Sequence, residues 1–410
     1  MKCSLYFTDK YIEPILNGTD PVLEDPLIPV TIEDDGTVKK ADLSSEWYDY
    51  ETKQWANTVI LFDESKTYAS GDIIPEENIE SYFVWIPKYR YQLWDLGLYD
   101  SLTEIEPSKV HEIPIIFGDY NTNDSVSREC TTPMGSGASG NCEVGDYMTH
   151  PAFISIPSTG FWVGKFETGY EGAANPTEAE QNIRDANKII VKPNVYSWRR
   201  IQIANAFYTS YDYNRDLDSH MMKNTEWGAV AYLSHSAYGS ATKVRINNNL
   251  DYITGYQANN EPTCGWTNTN EALMGLEVTE NGIYTGYDEM YNSGFNGLYT
   301  RNGNLKNDGM NMPSNKYYDA YNYNGDSEYG AFYNRILGDA TGELGAFEIL
   351  ENMRQISSWY SSDGHFVGKN SPWFANGSEY RYGKEANIMV FGAYRGDAGY
   401  NITFRVILTP

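Results

Sequence analysis

The stretch that decides the fold is SPWFANGSEYRYGKEANIMVFGAYRGDAGYNITFRVILTP, which spans residues 371–410. Apolar residues in it alternate with polar and aromatic ones, and glycines punctuate both sets. This pattern predicts strand or core positions at Trp373, Phe374, Ile388, Val390, Phe391, Phe404, Val406 and Leu408. The residues between them have the composition of a recognition surface, since Tyr gives rigid amphipathic area while Asn and Ser give adaptable hydrogen bonds.

The candidate ligand-binding residues are the large or polar side chains of this stretch. They are Asn376, Ser378, Glu379, Tyr380, Tyr382, Lys384, Asn387, Tyr394, Arg395, Asp397, Tyr400 and Asn401. An ordinary run of β-hairpins with polar loops would have the same composition, so both interpretations stay open at this point. For Trp373 we favour a core position over a contact with ligand.

The composition of the whole chain limits its class and its partners. The 410 residues are 41% hydrophobic and 15% aromatic, and 35 of them are Tyr. Abundant Gly, Asn and Tyr with few helical periodicities favour a β-rich, loop-rich protein over a helical bundle. The net charge of −26 repels phosphate backbones, so nucleic acid is not an expected partner.

Neither a membrane span nor a signal peptide is predicted. No segment reaches eighteen consecutive apolar residues. The first residues, MKCSLYFTDKYIEPIL, lack the uninterrupted apolar core of a secretory leader. The protein is therefore either released without a leader, or this chain begins inside a longer parent.

The cysteines and histidines suggest no catalytic or metal site. Cys130 and Cys142 bracket a loop of small residues, where a disulfide would stabilise the fold by about 3 kcal/mol and imply an oxidising location. Two loop thiols that never pair are the alternative, and both readings stay open. No Cys/His spacing indicates zinc. The histidines are interpreted as structural; they are His111, His150, His220, His235 and His365.

Residues 1–79 are predicted to form a small β-rich module. Residues 28–39 predict a strand, an Asp-Gly turn and a second strand, and residues 45–61 predict another hairpin. Four aromatic residues in this second hairpin could stack on sugar rings or fill a thin core, and we favour the core. They are Trp47, Tyr48, Tyr50 and Trp55.

Residues 80–410 are predicted to form a second, larger domain. Strands are expected from residues 83, 111 and 160. Ser197 is the predicted N-cap of one helix, and a second helix is expected from Asn224 or Thr225 to before Gly239. A third, short helix is predicted within residues 345–359.

Residues 240–345 show almost no periodicity. Ten Tyr and ten Asn lie between Tyr284 and Asn334, which predicts long ordered loops rather than a core. One such segment, NGNLKNDG at residues 302–309, is rich in oxygen donors that suit Ca²⁺. It lacks the full EF-hand spacing, so we favour a turn without metal, and we predict no other cofactor.

Five motifs occur in a distinctive order along the chain. They are FVWIP (83–87), GFWVGKFET (160–168), PNVYSWR (193–199), MKNTEWGAVAYL (222–233) and TFRVIL (403–408). In this order they resemble the formylglycine-generating, or sulfatase-modifying, type of C-type-lectin-like domain over about residues 80–410. The resemblance implies an α+β, C-type-lectin-like fold with long irregular loops and insertions, preceded by the small β-rich N-terminal module.

The catalytic function of that family is not implied. Its enzymes oxidise a cysteine of their sulfatase substrates with reactive cysteines near their own C-terminal end, whereas the last cysteine here is Cys264. The helix motif MKNTEWGAVAYL lacks the family's proline, and the family's GNvwEW region is not recognisable. No GxSxG, HExxH, P-loop or dinucleotide motif is present either, so we expect a protein that is not an enzyme.

The same scaffold is similar to display proteins of phage tails and bacterial surfaces, including variable proteins diversified by retroelements. In those proteins the ligand contacts cluster just before the final strand, which implies a ligand-binding region at residues 371–404. We therefore expect a receptor-binding or adhesion protein on a virion, extracellular or cell surface. Its expected partner is a protein or glycan on a bacterial or host surface. A structural virion or pilus subunit and, less favoured, a relative of the family's enzymes are the alternatives.

Overall fold

A computed structural model describes residues 18–92, 113–118, 147–155, 159–240, 270–279, 282–286, 293–300, 303–322, 336, 338–341, 356–357, 363–368, 370–377 and 388–410. The strands in chain order are β1 (Ile28–Ile32), β2 (Val38–Lys40), β3 (Asn57–Leu61), β4 (Ile79–Pro87), β5 (Tyr89–Gln92), β6 (Ile115–Phe117), β7 (Tyr147–Thr149), β8 (Gly160–Gly164), β9 (Gly169–Tyr170), β10 (Ile189–Ile190), β11 (His220–Met221), β12 (Asn270–Thr279), β13 (Gly282–Gly286), β14 (Leu298–Thr300), β15 (Leu305–Lys306), β16 (Asp319–Asn322), β17 (Ile356–Ser357), β18 (Asp363–Gly364), β19 (Trp373–Asn376), β20 (Phe391–Tyr394), β21 (Ile402–Thr403) and β22 (Val406–Leu408). The α-helices are α1 (Ala152–Ser155), α2 (Ile203–Tyr213) and α3 (Asn224–Ser234).

The described part of the chain is β-rich, with 34% strand and 14% helix, short 3-10 turns included. The prediction of an α+β, C-type-lectin-like fold is therefore wrong. The three helices in the described part of the chain are four, eleven and eleven residues long, too short to form a layer of their own beside sheets of seven and ten strands. The five sequence motifs specify local strands and helix starts, but they do not specify how the layers are arranged.

The first sheet is antiparallel, with the strand order β11-β22-β8-β4-β3-β1-β2. At its centre Trp85 lies opposite Trp162, and the two rings make an edge contact at 5.2 Å between centroids. Their indole nitrogens donate to the carbonyl oxygens of Thr19 and Val22, at 3.2 and 2.8 Å. Residues 19–22 thus satisfy both buried N–H groups of this pair.

Several strand predictions are confirmed in this sheet. β1 and β2 pair around the predicted turn, where Gly36 adopts a φ of +86° that favours glycine. The strands predicted from residues 83 and 160 are β4 and β8, and the closing strand is β22. The predicted hairpin over residues 45–61 is reduced to one bridge between Asp49 and Gln54, because β3 pairs with β1 and β4 instead. One sheet thereby contains strands from the predicted N-terminal module, residues 1–79, and strands from the predicted second domain.

The aromatic residues of the N-terminal segment belong to the core. Trp47, Tyr48 and Tyr50 are buried, and Trp55 is partly buried against the same cluster. The rings of Tyr50 and Trp55 lie 4.7 Å apart between centroids. The core interpretation is therefore confirmed, and Trp47, Tyr48 and Tyr50 are not free to stack on a sugar.

The second sheet is built around β12, the longest strand of the described chain. β12 pairs with β13 and β19 antiparallel and with β16 and β21 parallel. The sequence of this strand lies within residues 240–345, for which long loops were predicted. Its residues 271–277 are all buried, so the strand is covered on both faces and its sequence shows no alternation of apolar and polar residues.

Two of the predicted helices are present. α3 begins at Asn224 as predicted and ends before Gly239. α2 begins at Ile203 with Gln202 as its N-cap, and Ser197 lies outside it because its hydroxyl donates to Glu167 at 2.9 Å. The third predicted helix lies outside the described residues except for β17. No helix in the described part of the chain is long and apolar enough to cross a membrane.

The first turn of α3 contains a buried carboxylate. Glu226 accepts from the backbone N–H of Lys223 at 2.7 Å and from Nε2 of His220 at 3.1 Å. Lys223 Nζ lies 3.4 Å from the same carboxylate. Burial alone would raise the pKa of Glu226, but Lys223 and His220 lower it to about 2. The first turn of α3 therefore contains a charged carboxylate, Glu226, that is buried inside the protein.

We expect Glu226 to make stability depend on acid pH. Its folded pKa of about 2 lies below the ordinary 4.5, so its stabilisation is present above pH 4.5 and is lost as the pH falls towards 2. The shift corresponds to about 3 kcal/mol. Urea unfolding from pH 7 to pH 3 should show Glu226→Gln less stable than the parent at neutral pH, with a difference that shrinks below pH 4.5. Glu33→Gln, which removes an exposed carboxylate, is the control. A difference that stays constant over this range would contradict the assignment.

One buried ion pair connects the two sheets. The Glu271 carboxylate on β12 accepts from Nε and Nη2 of Arg405, at 2.8 and 2.5 Å, and both side chains are fully buried. Arg405 also donates through Nη1 to the carbonyl oxygen of Gly164 on β8 at 2.7 Å. Its own carbonyl accepts from the backbone N–H of Met222 at 3.0 Å. Arg405 thus forms hydrogen bonds with β12 of the second sheet and with β8 of the first.

Loss of one member of this pair should strongly destabilise the protein. We expect Arg405→Met to lower the free energy of unfolding by about 3–5 kcal/mol, because Glu271 would remain as an uncompensated buried charge. The double variant Glu271→Met with Arg405→Met should recover most of that loss, since no charge is then buried. Urea denaturation followed by Trp fluorescence measures both. A single variant that loses less than about 1 kcal/mol would show that the pair does not hold the sheets together.

Candidate ligand-binding surface

The predicted site residues divide into two groups of six. Asn376, Tyr394, Arg395, Asp397, Tyr400 and Asn401 lie within the described residues. Ser378, Glu379, Tyr380, Tyr382, Lys384 and Asn387 lie outside them, as do both cysteines of the predicted disulfide, Cys130 and Cys142.

Asn376 is buried at the end of β19. Its Nδ2 donates to Oδ1 of Asn224 at 2.8 Å. Asn224 in turn donates to the Tyr321 hydroxyl at 2.6 Å, and that hydroxyl donates to Asp339 at 2.6 Å. This buried chain of hydrogen bonds joins β19 to the start of α3. Asn376 therefore has a structural role and is not available to contact a ligand.

Tyr394 is also a supporting residue. It is only 8% exposed, and its hydroxyl accepts from the backbone N–H of Gly399 at 3.2 Å. Burial raises the pKa of this phenol, which stays neutral. The contact closes residues 394–399 into a loop over the end of β20.

The loop is tight where it meets the core. Gly396 has a φ of +87°, and a Cβ added there would lie 2.9 Å from both Trp373 and Ser293. Trp373 is fully buried beneath it, as the favoured interpretation expected. Asp397 is partly buried, and burial raises the pKa of its carboxyl. The loop backbone is therefore fixed by packing rather than left free.

Tyr400 is the exposed member of the set, with 60% of its surface accessible. The guanidinium carbon of Arg200 lies 3.3 Å from the centre of its ring. The neighbouring backbone is tied down, since Arg200 N–H donates to Gly399 and Arg199 Nη1 donates to the carbonyl oxygen of Tyr400, at 3.1 and 3.3 Å. The ring is thus displayed to solvent in a fixed position beside a cation.

Both arginines are held by one carboxylate. Glu180 lies 3.2 Å from Arg199 through one oxygen and 3.2 Å from Arg200 through the other. Arg200 adopts a φ of +54°, an uncommon conformation for a residue with a side chain. The clamp by Glu180 and the bond to Gly399 hold the residue in this conformation.

Two more Arg–Tyr contacts extend this surface along α2. Arg184 lies 4.6 Å from the ring of Tyr208, and Arg215 lies 4.8 Å from the ring of Tyr211. Asp212 forms ion pairs with both arginines. We define the Arg–Tyr surface by these three contacts; its residues are Arg184, Arg200, Arg215, Tyr208, Tyr211 and Tyr400.

Asn182 joins the two ends of the Arg–Tyr surface. Its Oδ1 accepts from the backbone N–H of Gln202 at 2.9 Å and from Nδ2 of Asn205 at 2.8 Å. Residues 180–184 therefore run alongside the first half of α2, from Glu180 near Arg200 to Arg184 near Tyr208.

Of the six residues of this surface, only Tyr400 was among the ligand-binding residues predicted from the sequence. Tyr208 and Tyr211 lie in α2, and no contact role was predicted for them. One signal was present in the sequence: Arg215 follows Tyr211 by four residues, the spacing of neighbours on one face of a helix. The contact between Arg200 and Tyr400 joins positions far apart in the chain, and no local pattern indicates it.

Other candidate sites are closed or without support. His150 and His220 are buried, and burial lowers the pKa of His150 to about 3. The Nε2–H of His150 donates to the carbonyl oxygen of Gly338 at 2.6 Å. Residues 303–309 of the Ca²⁺ candidate lie mostly exposed. Within the described ranges, no group of three or more His, Cys, Asp or Glu side chains is arranged to hold a metal ion.

No protein-family model matches the chain, and the search of curated proteins found no match to it. The relationship to sulfatase-modifying domains therefore stays a prediction from the five motifs.

The two tyrosines of the C-terminal loop should respond differently to truncation. We expect Tyr394→Ala to cost about 3–5 kcal/mol of stability, because it empties a buried ring site. Tyr400→Ala should cost less than about 1 kcal/mol, since an exposed ring loses only its contact with Arg200. Urea denaturation of both variants measures the difference. Equal losses of stability would contradict the assignment of Tyr394 to the core and of Tyr400 to the exposed surface.

Proposed function

We propose that this protein is a non-enzymatic ligand-binding protein of a phage tail or a bacterial surface. Its contact surface would comprise the Arg–Tyr surface and the adjoining C-terminal residues. The partner would be a protein or glycan on a bacterial or host surface. The observation that carries the proposal is the exposed ring of Tyr400, held in place beside Arg200.

The chemistry of the surface supports recognition. Tyr and Arg are the residue types most enriched at the energetic centres of protein interfaces, and an aromatic face also stacks on the C–H face of a sugar. Because Glu180 and the loop backbone already fix Arg200 and Tyr400, binding would order few additional side chains. Such preorganisation lowers the entropic cost of association.

All four arginines at this surface have a carboxylate partner, although they outnumber the two carboxylates. The chain as a whole carries a charge of −26, but on this surface Glu180 and Asp212 each pair with two arginines. The arginines therefore offer planar donors and stacking faces, and long-range attraction to anions is not required.

The test is binding of the purified chain to a glycan array and to bacterial surface extracts. We expect Tyr400→Ser with Arg200→Gln to weaken binding by at least about tenfold, which corresponds to the loss of one interface hot spot. The matched control is Phe62→Ser with Lys192→Gln, another exposed aromatic beside a cation, with 5.8 Å between Lys192 Nζ and the Phe62 ring. A further variant, Tyr380→Ser with Tyr382→Ser, tests two predicted contact residues that lie outside the described part of the chain.

Three outcomes decide between the functions. Loss of binding in the Tyr400 variant but not in the control supports the proposal. Equal binding by both variants would remove this surface as the site. A chain that binds no ligand but forms assemblies in light scattering, which the Tyr400 variant abolishes, would identify a structural virion or pilus subunit instead.

A further inference from the structure

A second site lies away from the Arg–Tyr surface, between the first sheet and α3. It is a cavity of about 240 Å³. The described residues that line it are Trp55, Asn57, Val84, Ile86, Lys165, Val230, Leu233, Ser234 and Gly239. The cavity is smaller than the roughly 300 Å³ at which pockets for drug-sized ligands begin, which limits any occupant to a small molecule.

Lys165 is the only titratable residue among these lining residues. It follows β8 directly and is partly buried, and its Nζ donates to Oδ1 of Asn57 at 2.9 Å. The ammonium group has further N–H donors, and no carboxylate in the described part of the chain pairs with it. A cation in an apolar setting without a counter-ion is a costly arrangement that an anionic ligand would relieve.

The state of the amine agrees with such a role. Burial lowers the pKa of Lys165 to about 8, so most Lys165 side chains are still protonated and charged at pH 7. The Asn57 amide is oriented by both of its ends, because its Nδ2 donates to the carbonyl oxygen of Trp55 at 2.6 Å while its Oδ1 accepts from Lys165. Lys53 lies outside the lining but contacts one of its residues, since its Nζ donates to the carbonyl oxygen of Gly239 at 2.5 Å.

We propose that this cavity binds a small apolar monocarboxylate, with Lys165 as its counter-ion. The carboxylate would accept from the free N–H donors of Lys165, and the hydrocarbon part would lie against Trp55, Val84 and Leu233. A phosphate dianion fits less well, because the described lining offers one cation and few further donors to replace its hydration. This site shares no residue with the Arg–Tyr surface, so it does not depend on the proposed function.

Titration calorimetry of the full chain tests the proposal with phenylacetate and with the uncharged 2-phenylethanol as its isostere. At pH 7 we expect phenylacetate to bind at least about tenfold more tightly than the alcohol. Its affinity should be constant below pH 8 and fall by about tenfold per pH unit above it, as Lys165 loses its proton. Equal affinities for acid and alcohol, or no binding up to about 10 mM, would overturn the proposal.

Two variants localise the effect. Lys165→Met should abolish the preference for the carboxylate, and Leu233→Trp should block the cavity while Lys165 is kept. The second variant keeps the test valid if the first fails to fold. Lys53→Met, which removes a cation outside the lining, should leave phenylacetate binding unchanged. Binding that persists in both Lys165→Met and Leu233→Trp would show that the carboxylate binds elsewhere and would overturn the proposal.

Discussion

The constraint on which this structure depends is the need to compensate the buried charge of Arg405. Arg405 cannot lose its proton under any ordinary condition, so it requires a carboxylate and further acceptors wherever it is buried. Glu271 and the Gly164 carbonyl supply them from two different sheets. The cost of leaving the guanidinium unpaired therefore fixes the distance and register between β12 and β8. The hydrophobic core fills the space between them but does not by itself specify that register.

Much of the first sheet could be predicted from sequence, because its strands carry local signals. An Asp-Gly turn marks the β1–β2 hairpin, and residues 160–164 form an uninterrupted apolar run. The second sheet could not be predicted. β12 is buried on both faces, so alternation is absent, and its neighbours include short strands separated from it by long stretches of chain. The wrong prediction of an α+β fold has the same origin. The five motifs specify single strands and helix starts, whereas the fold class depends on how the strands pair into sheets.

The candidate surface shows a similar division. Composition drew attention to the loop before the last strand, but it could not separate Tyr394, which is buried under the loop, from Tyr400, which is exposed. Burial makes that distinction, and burial depends on the path of the backbone around Gly396 and Trp373. The role of the arginines could not be predicted from the sequence, because residues 180–200 and Tyr400 are brought together only by tertiary contacts. A surface assembled in this way tolerates changes in its displayed side chains, since the residues that hold the backbone are different ones.

The position of β21 and β22 has a consequence for biosynthesis. β21 pairs with β12 in one sheet, and β22 lies between β11 and β8 in the other. Residues 402–408 therefore complete both sheets, and they leave the ribosome after every other described strand. Until then the nascent chain exposes open strand edges and an unpaired Glu271, a state that chaperones recognise and that aggregates readily. A product of premature termination would stay in that state, so only chains translated through residue 408 can present the Arg–Tyr surface in its folded form.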